Sequence, residues 1–400
     1  MSKKNDDFFK EKKIWSTVKD NLLGYYLQPY FSKILLTGKP IIYIDCFAGK
    51  GKFEDGNPGS PIIALDIIKE RLDVTTAKSP YVEANFIDLN YAEDLRTNLS
   101  KYSNIRIISG KFEDNILNLL KSKKGCNVFL YIDPYGIKAL QSSFFDDFSN
   151  GQFNTIELLI NLNSFGFIRE ACRAMGVKFK EDDVLKDIIE YDSTKLDSSD
   201  KSILELNEIA GGDYWQAIIH DYKSNIINGY EAEGKFVDLY CQRMMKSYKY
   251  VLNLPLRLKE GQQPKYRMIH ATQHKAGCLL MVDNMYCRWE TMKEIQTGGQ
   301  LSFFETNVKE EICDTDTLTN DVIEHFSKYS SSISLSEAMA NFFVKYGVIA
   351  STKNVRDILK KLEKQKRIVI IRTPSLTSQG KPTKFMEEKK GQSVIVRWNK

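Results

Sequence analysis

The stretch Ile41 to Phe53, IIYIDCFAGKGKF, constrains this chain more than any other. Ile41 to Asp45 is apolar, β-branched and aromatic with its one polar residue at the end, the pattern of a short buried strand. A turn carrying Gly49 and Gly51 follows, and after a small loop Gly59-Ser60-Pro61 introduces an apolar-periodic run from Ile62 to Leu72. Ser60 suits a helix N-cap and Pro61 the first helical position. Strand, glycine turn and helix form the first unit of an open α/β sheet, and such sheets bind ligands outside the carboxyl ends of their strands.

The turn fits no phosphate cradle well. A dinucleotide fingerprint needs a third glycine where Glu54 stands, and a P-loop needs Ser or Thr where Phe53 follows Gly51-Lys52. A carboxylate beside the glycines repels phosphates and suits a cationic or hydroxyl-bearing ligand. S-adenosylmethionine carries an amino group, a sulfonium and a ribose, and no phosphate. The run from Asp45 through Phe47 and Gly49 to Gly51 resembles the first motif of class I SAM-dependent methyltransferases, which implies that these four residues hold that cofactor. The plainer reading is a strand-to-helix turn whose glycines serve geometry alone.

Residues 1–13 are charged, with no apolar signal core, and no apolar run is long enough to span a membrane, so a cytoplasmic protein is expected. The seven cysteines are scattered without a C-x-x-C pair, which predicts reduced thiols. His270, His274 and Cys278 recur every four residues, but no second cluster completes a tetrahedral set and a metal site is not expected. His274 is instead a candidate for substrate contact from a loop over the sheet.

In chain order, a helix from Trp15 to Leu35 should place Trp15, Val18, Leu22 and Tyr25 on one face. A second strand, Val82 to Asp88, ends in an acid placed to accept from a ribose. A third, Ile105 to Ile108, precedes Asp114, a candidate for the adenine end of the cofactor or for a helix cap. The fourth, Asn127 to Ile132, runs into Asp133-Pro134-Tyr135-Gly136. This resembles the D/N-P-P-Y/F motif of methyltransferases acting on the amino group of adenine, with a single proline and the aromatic one place early. An exocyclic amine is a poor nucleophile because its lone pair is delocalised. An acceptor such as Asp133 raises its reactivity, and an aromatic such as Tyr135 stacks on a base turned out of its helix. As structure alone, the same four residues are a turn. A fifth strand, Thr155 to Leu162, leads to Asn163, and Asn161 and Asn163 either line the cleft or hydrogen-bond a turn.

Residues 176–206 read as a helical insertion serving as a lid or substrate-facing element, and the insertion as a whole spans about 176–247. Gly298-Gly299 and a Thr/Asp-rich stretch mark a linker, 301–319. Beyond it, 320–400 reads as a basic winged helix, with a Ser334–Glu337 capping box, a helix at 352–364 in the recognition position and a ribbon of Ile368–Ile371 with Ser393–Trp398. Residues 351–400 hold 14 Lys and Arg against 4 Asp and Glu, whereas the rest of the chain is slightly acidic. Lys353, Arg356, Lys360, Lys361 and Lys364 on the 352–364 helix are therefore candidates for phosphate contact, though such a face is often merely solvated.

Taken together, Trp15 to Lys19 with Tyr26-Leu27, YIDCFAGKGKFEDGNPGSPIIAL, FIDLN, IDPYG and ATQHKAG resemble the three-Cys-motif partner (TcmP) family of bacteria. The resemblance implies a Rossmann-like class I methyltransferase sheet over residues 1–300 with a C-terminal extension, SAM as cofactor, and a partner protein bearing three clustered cysteines. The family usually has a histidine after the helix lysine; here Asp20 follows Lys19. The expected function is SAM-dependent methylation of a base amino group in nucleic acid, DNA or RNA. The alternative is a non-catalytic component of a bacterial phage-defence or mobile-element complex. Glu54 speaks against a nicotinamide oxidoreductase.

Overall fold

The computed structural model describes residues 6–78, 80–179, 200–256, 264, 266–296, 314–388 and 391–399. Strands β1 (Ile41–Asp45), β2 (Val82–Asp88), β3 (Ile105–Ser109), β4 (Asn127–Ile132) and β5 (Thr155–Leu162) are parallel, and two later strands, β6 (Tyr250–Leu256) and β7 (Tyr266–Thr272), complete one sheet in the order β3-β2-β1-β4-β5-β7-β6. Strand β7 is antiparallel to both of its neighbours, so its last residue lies at the edge where the parallel strands begin. Every residue of β1, β4 and β5 is buried, as continuous apolar runs in a sheet covered on both faces must be.

Helices α1 (Ile14–Ile34), α2 (Ser60–Val74) and α3 (Ala92–Asn98), together with α4 (Phe112–Lys121), α5 (Ser142–Ser149), α6 (Ser164–Ala174), α7 (Asp200–Ala210), α8 (Tyr214–Lys223), α9 (Gly229–Met244) and α10 (Lys275–Gln296), supply the outer layers. Tyr43 and Phe129 stack at 6.0 Å beneath Tyr26 of α1, while Ile42, Ile44, Leu130 and Ile132 point to the face covered by α4 to α9. On α1, Val18 and Leu22 are buried but Tyr25 is 56% exposed, with Arg288 over its ring. Ten residues past Trp15 a helix has turned about 80° off the stripe, whereas Tyr26 returns to it; the side chain of Trp15 lies outside the described residues.

Residues 180–199 of the expected lid lie outside the description, but Leu206 at its end is fully buried, and in the rest of the expected insertion so are Ile209 of α7, Trp215 of α8 and Phe236 of α9, in the apolar cluster that covers this face of the sheet. Their polar neighbours made the segment look peripheral.

The C-terminal unit comprises α11 (Thr315–Phe326), β8 (Ile333–Ser334), α12 (Leu335–Tyr346), α13 (Thr352–Lys364), β9 (Ile368–Thr373) and β10 (Ser393–Trp398), with an antiparallel ribbon in the order β8-β10-β9. Helix α11 begins inside the expected linker because Asp314 caps it, accepting from the amides of Asp316 and Thr317; residues 297–313 lie outside the description. Ser334 precedes α12 without capping it: its hydroxyl is taken by Lys275 at 2.6 Å, and Glu337 pairs with Lys249 instead. These links, with Asp283 of α10 accepting from Thr352, dock the unit on the β6–α10 flank.

Candidate active site at the carboxyl edge of the sheet

The parallel strands end together at one edge, where β1, β2 and β4 deliver Asp45, Asp88 and Asp133. Asp45 is fully buried, and its carboxylate accepts from the Ser60 hydroxyl at 2.7 Å and the Phe47 amide at 3.3 Å. Ser60 is thus the first residue of α2, capped by Gly59, and not the cap itself. Burial pushes the Asp45 carboxyl up to about 7, against those two hydrogen bonds, with the charges of Asp133 and Asp20 adding to the rise.

Asp88 stitches the end of β2 to the glycine turn. One carboxylate oxygen accepts from the Gly49 amide at 2.9 Å; the other accepts from Asn90 and Tyr91, each at 2.8 Å. Gly49 and Gly51 both have left-handed backbones, with φ of 60° and 76°. The first four amides after β1 are committed within the protein: Cys46 to Tyr131, Phe47 to Asp45, Ala48 to Ile87 and Gly49 to Asp88. Those four are therefore not offered to a pyrophosphate, which needs such amides free.

Asp133, just past β4, is the hub. Lys19 of α1 reaches both carboxylate oxygens at 2.8 and 2.7 Å, the Asn161 amide donates to one at 2.7 Å, and the Tyr131 hydroxyl approaches the other at 3.4 Å. The Lys19 ammonium also lies 5.3 Å from the centre of the Tyr266 ring. Asp20 pairs with Lys12 at 2.7 Å, and burial pushes its carboxyl up to about 6 despite that partner. Pro134 is buried, and Tyr135 keeps 46% of its surface exposed. Burial, then the nearby carboxylate of Asp88, holds the Tyr135 hydroxyl well above its usual range.

Residues 6–9 form a short 3-10 turn across this edge. Phe9 packs on Tyr91 at 4.9 Å and Phe53 at 5.8 Å, Phe8 meets the edge of Tyr135 at 6.0 Å, and the Glu54 amide donates to the Phe9 carbonyl at 2.8 Å. A Cβ on Gly49 would stand 2.8 Å from the Phe9 ring, so the close approach that Gly49 permits is made here by Phe9.

Asp45, Gly49, Gly51, Asp88, Asp133 and Tyr135 are therefore brought to one edge. Phe47 turns toward the α4 face, packing on Phe112 at 5.3 Å. Asp114, in the first turn of α4, is exposed, and no described contact ties it to the carboxylate cluster. Asn163 caps α6 by accepting from the Gly166 amide. His274 follows the antiparallel β7 and so sits at the opposite edge. His270 is buried mid-sheet beside Glu157 and Tyr26. Sequence reading missed Lys19 as the partner of Asp133; the signal is a lysine on the buried face of α1, which needs a partner.

The lining presents acceptors: three aspartates and the amide oxygen of Asn161, buried and unpartnered. That acidic set, with the Lys19 ammonium already seated on Asp133, fits a ligand bearing ammonium, sulfonium and hydroxyl groups, with Phe8, Phe9 and Tyr135 as its apolar wall. On α13, Lys353, Lys360, Lys361 and Lys364 are exposed, whereas Arg356 is half-buried and held by Glu387 and Thr352.

No protein-family profile matches the chain, and no curated protein does. Among solved structures it is similar to Trm1 from Pyrococcus horikoshii in complex with S-adenosyl-L-methionine, at 10% identity over 84% of this chain and 90% of that one, TM-score 0.37. It is also similar to the citrinin polyketide synthase CMeT domain, at 14% identity over 59% of this chain and 47% of that one, TM-score 0.32. A third is spermidine synthase from Thermotoga maritima, at 8% identity over 64% and 61%, TM-score 0.31. Similarity this distant brings no substrate, partner or mechanism to this chain. The architecture itself is a seven-stranded, mostly parallel, Rossmann-like α/β sheet with one antiparallel strand, β7, set between β5 and β6.

Proposed function

We propose that this protein is a SAM-dependent methyltransferase acting on a base amino group of nucleic acid, in company with a three-cysteine-motif partner protein in a bacterial cytoplasm. The observation that carries the reading is the acidic edge: Asp45, Asp88 and Asp133 converge around a glycine turn whose Phe47 and Gly49 amides already donate to Asp45 and Asp88, which favours cationic and hydroxyl-bearing ligands over phosphates. When bound, the cofactor supplies an electrophilic methyl group on a sulfonium. Asp45 and the Gly49–Gly51 turn hold its amino acid end, Asp88 its ribose, and Phe47 and Asp114 border the adenine side. Asp133, Pro134 and Tyr135 face the acceptor, with Tyr135 stacking on the base. Most of the rate gain comes from alignment of nitrogen, methyl and sulfur. The basic C-terminal unit, read as a winged helix, holds the polymer by its phosphates through Lys353, Lys360, Lys361 and Lys364, with Arg356 already committed to Glu387.

The test is transfer of labelled methyl from SAM to mixed DNA and RNA with the partner present. Wild type is expected to label polymer, and Asp133→Ala to lose at least about 100-fold while still binding cofactor in calorimetry. Cofactor binding without any labelled polymer would leave the second reading: a SAM- or nucleic-acid-binding component without turnover, as in a phage-defence or mobile-element complex. What favours that reading is that Lys19 already occupies both oxygens of Asp133.

A further inference from the structure

We propose that the ammonium of Lys19 sits in the seat of the substrate amine, so that Lys19 is a built-in competitor and the Asn161 amide oxygen is the acceptor waiting for the incoming N–H. This deepens, and rests on, the amino-group reading of the site above.

The seat follows from sheet order. Strand β5 lies between β4, which carries Asp133, and β7, which carries Tyr266. Lys19 contacts Asp133 at 2.7 Å and the Tyr266 ring at 5.3 Å, and so spans the end of β5, where Asn161 stands. A carboxylate on one side and an aromatic face on the other make a recognition site for an N–H-rich group. A carboxylate has about four lone-pair positions. Lys19, Asn161 and Tyr131 use those of Asp133, so it gains a further N–H only by giving one up. The Asn161 side chain is 1% exposed, and its oxygen has no partner. Its orientation is settled by Asp133: the reversed amide would set oxygen against carboxylate. A buried acceptor left unmade carries its full desolvation penalty, which an incoming N–H recovers. The Lys19 side chain is 11% exposed and that of Asp133 21%, so the ammonium gives up this largely buried pair only to a group that takes over its bonds to Asp133, as an incoming amine does. An amine entering the seat would then meet Asp133, Asn161 and Tyr266 together.

The experiment compares free adenine with its N6,N6-dimethyl form, and cytosine with its N4,N4-dimethyl form, by calorimetry on the full chain saturated with S-adenosylhomocysteine. Wild type should prefer at least one base bearing N–H over its dimethyl form. Lys19→Met should tighten that base about tenfold and keep the preference. Asn161→Leu should abolish the preference; Asn161→Ser, gentler on β5, should reduce it, and thermal melts identify any variant that fails to fold. The proposal is overturned if wild type shows no preference for either base, if Lys19→Met weakens binding or leaves it unchanged, or if both folded Asn161 variants keep the preference. The same variants assayed with labelled SAM separate the two readings: the binding pattern without label sinks turnover and leaves the amine seat standing, whereas label without the pattern does the reverse.

Discussion

At the scale of single residues, the site's chemistry turns on carboxylates taken out of water. Asp45 is held near pH 7 and Asp20 near pH 6 by burial that outweighs their hydrogen bonds. For each, the folded state holds its proton to higher pH than the unfolded chain does. The stability each contributes is therefore full below the ordinary carboxyl value of 3.8 and is lost as pH rises through about 6 for Asp20 and about 7 for Asp45. Ligand binding runs the other way, since a cationic cofactor wants Asp45 ionised. Between pH 6 and pH 8 the ionised fraction of such a group rises about tenfold, so SAM affinity measured by calorimetry should rise by about that factor. Asp45→Asn should flatten the profile. A profile flat in wild type would remove Asp45 from cofactor binding. The strand-end acids were legible in the sequence because each closes an apolar run. Lys19 was not, because its partner is 114 positions away and only the packing of α1 over β4 brings them together.

At the scale of elements, strands and helices with strong periodicity were legible nearly to the residue: β2, β4, β5 and α13 coincide with the apolar runs that announced them. What could not be read was how elements cross. The antiparallel entry of β7 carries His274 away from the cleft, and nothing in its own residues says so. Asp314 and Thr315 look like linker and are a helix start. The turn at residues 6–9 is the clearest case: part of a charged terminus on composition, it folds across the glycine turn because Phe8 and Phe9 find Phe53, Tyr91 and Tyr135. Phe9 is 4% exposed in a small satellite cluster, so Phe9→Ala should cost about 3 kcal/mol, at the low end for truncating a buried aromatic. Denaturant titration measures that cost. Hydrogen exchange should speed at the Glu54 amide, which donates to the Phe9 carbonyl. An unchanged exchange rate there would mean that residues 6–9 do not support the 49–58 loop.

At the scale of the whole molecule, the proposed function divides nucleic-acid contact between two surfaces built by different parts of the chain. The cleft belongs to the carboxyl edge of the sheet, whereas the exposed lysines belong to α13, whose first residue, Thr352, donates to Asp283 of α10. On that reading a polymer lies with its backbone on α13 and one base at the cleft. Hold and chemistry should then separate by mutation. Reversing Lys353, Lys360, Lys361 and Lys364 to Glu should weaken polymer binding. It should also cut the slope of log K against log salt by about 0.9 for each phosphate no longer neutralised on duplex, about 0.7 on single strands. Free-base binding at the cleft should not change. Asp133→Ala should do the opposite, sparing the salt slope while removing methyl transfer. Anisotropy titrations over a salt series measure the first arm and calorimetry with free base the second. If the fourfold reversal leaves the slope intact, the basic charge of α13 is solvated surface and the polymer is held elsewhere on the molecule.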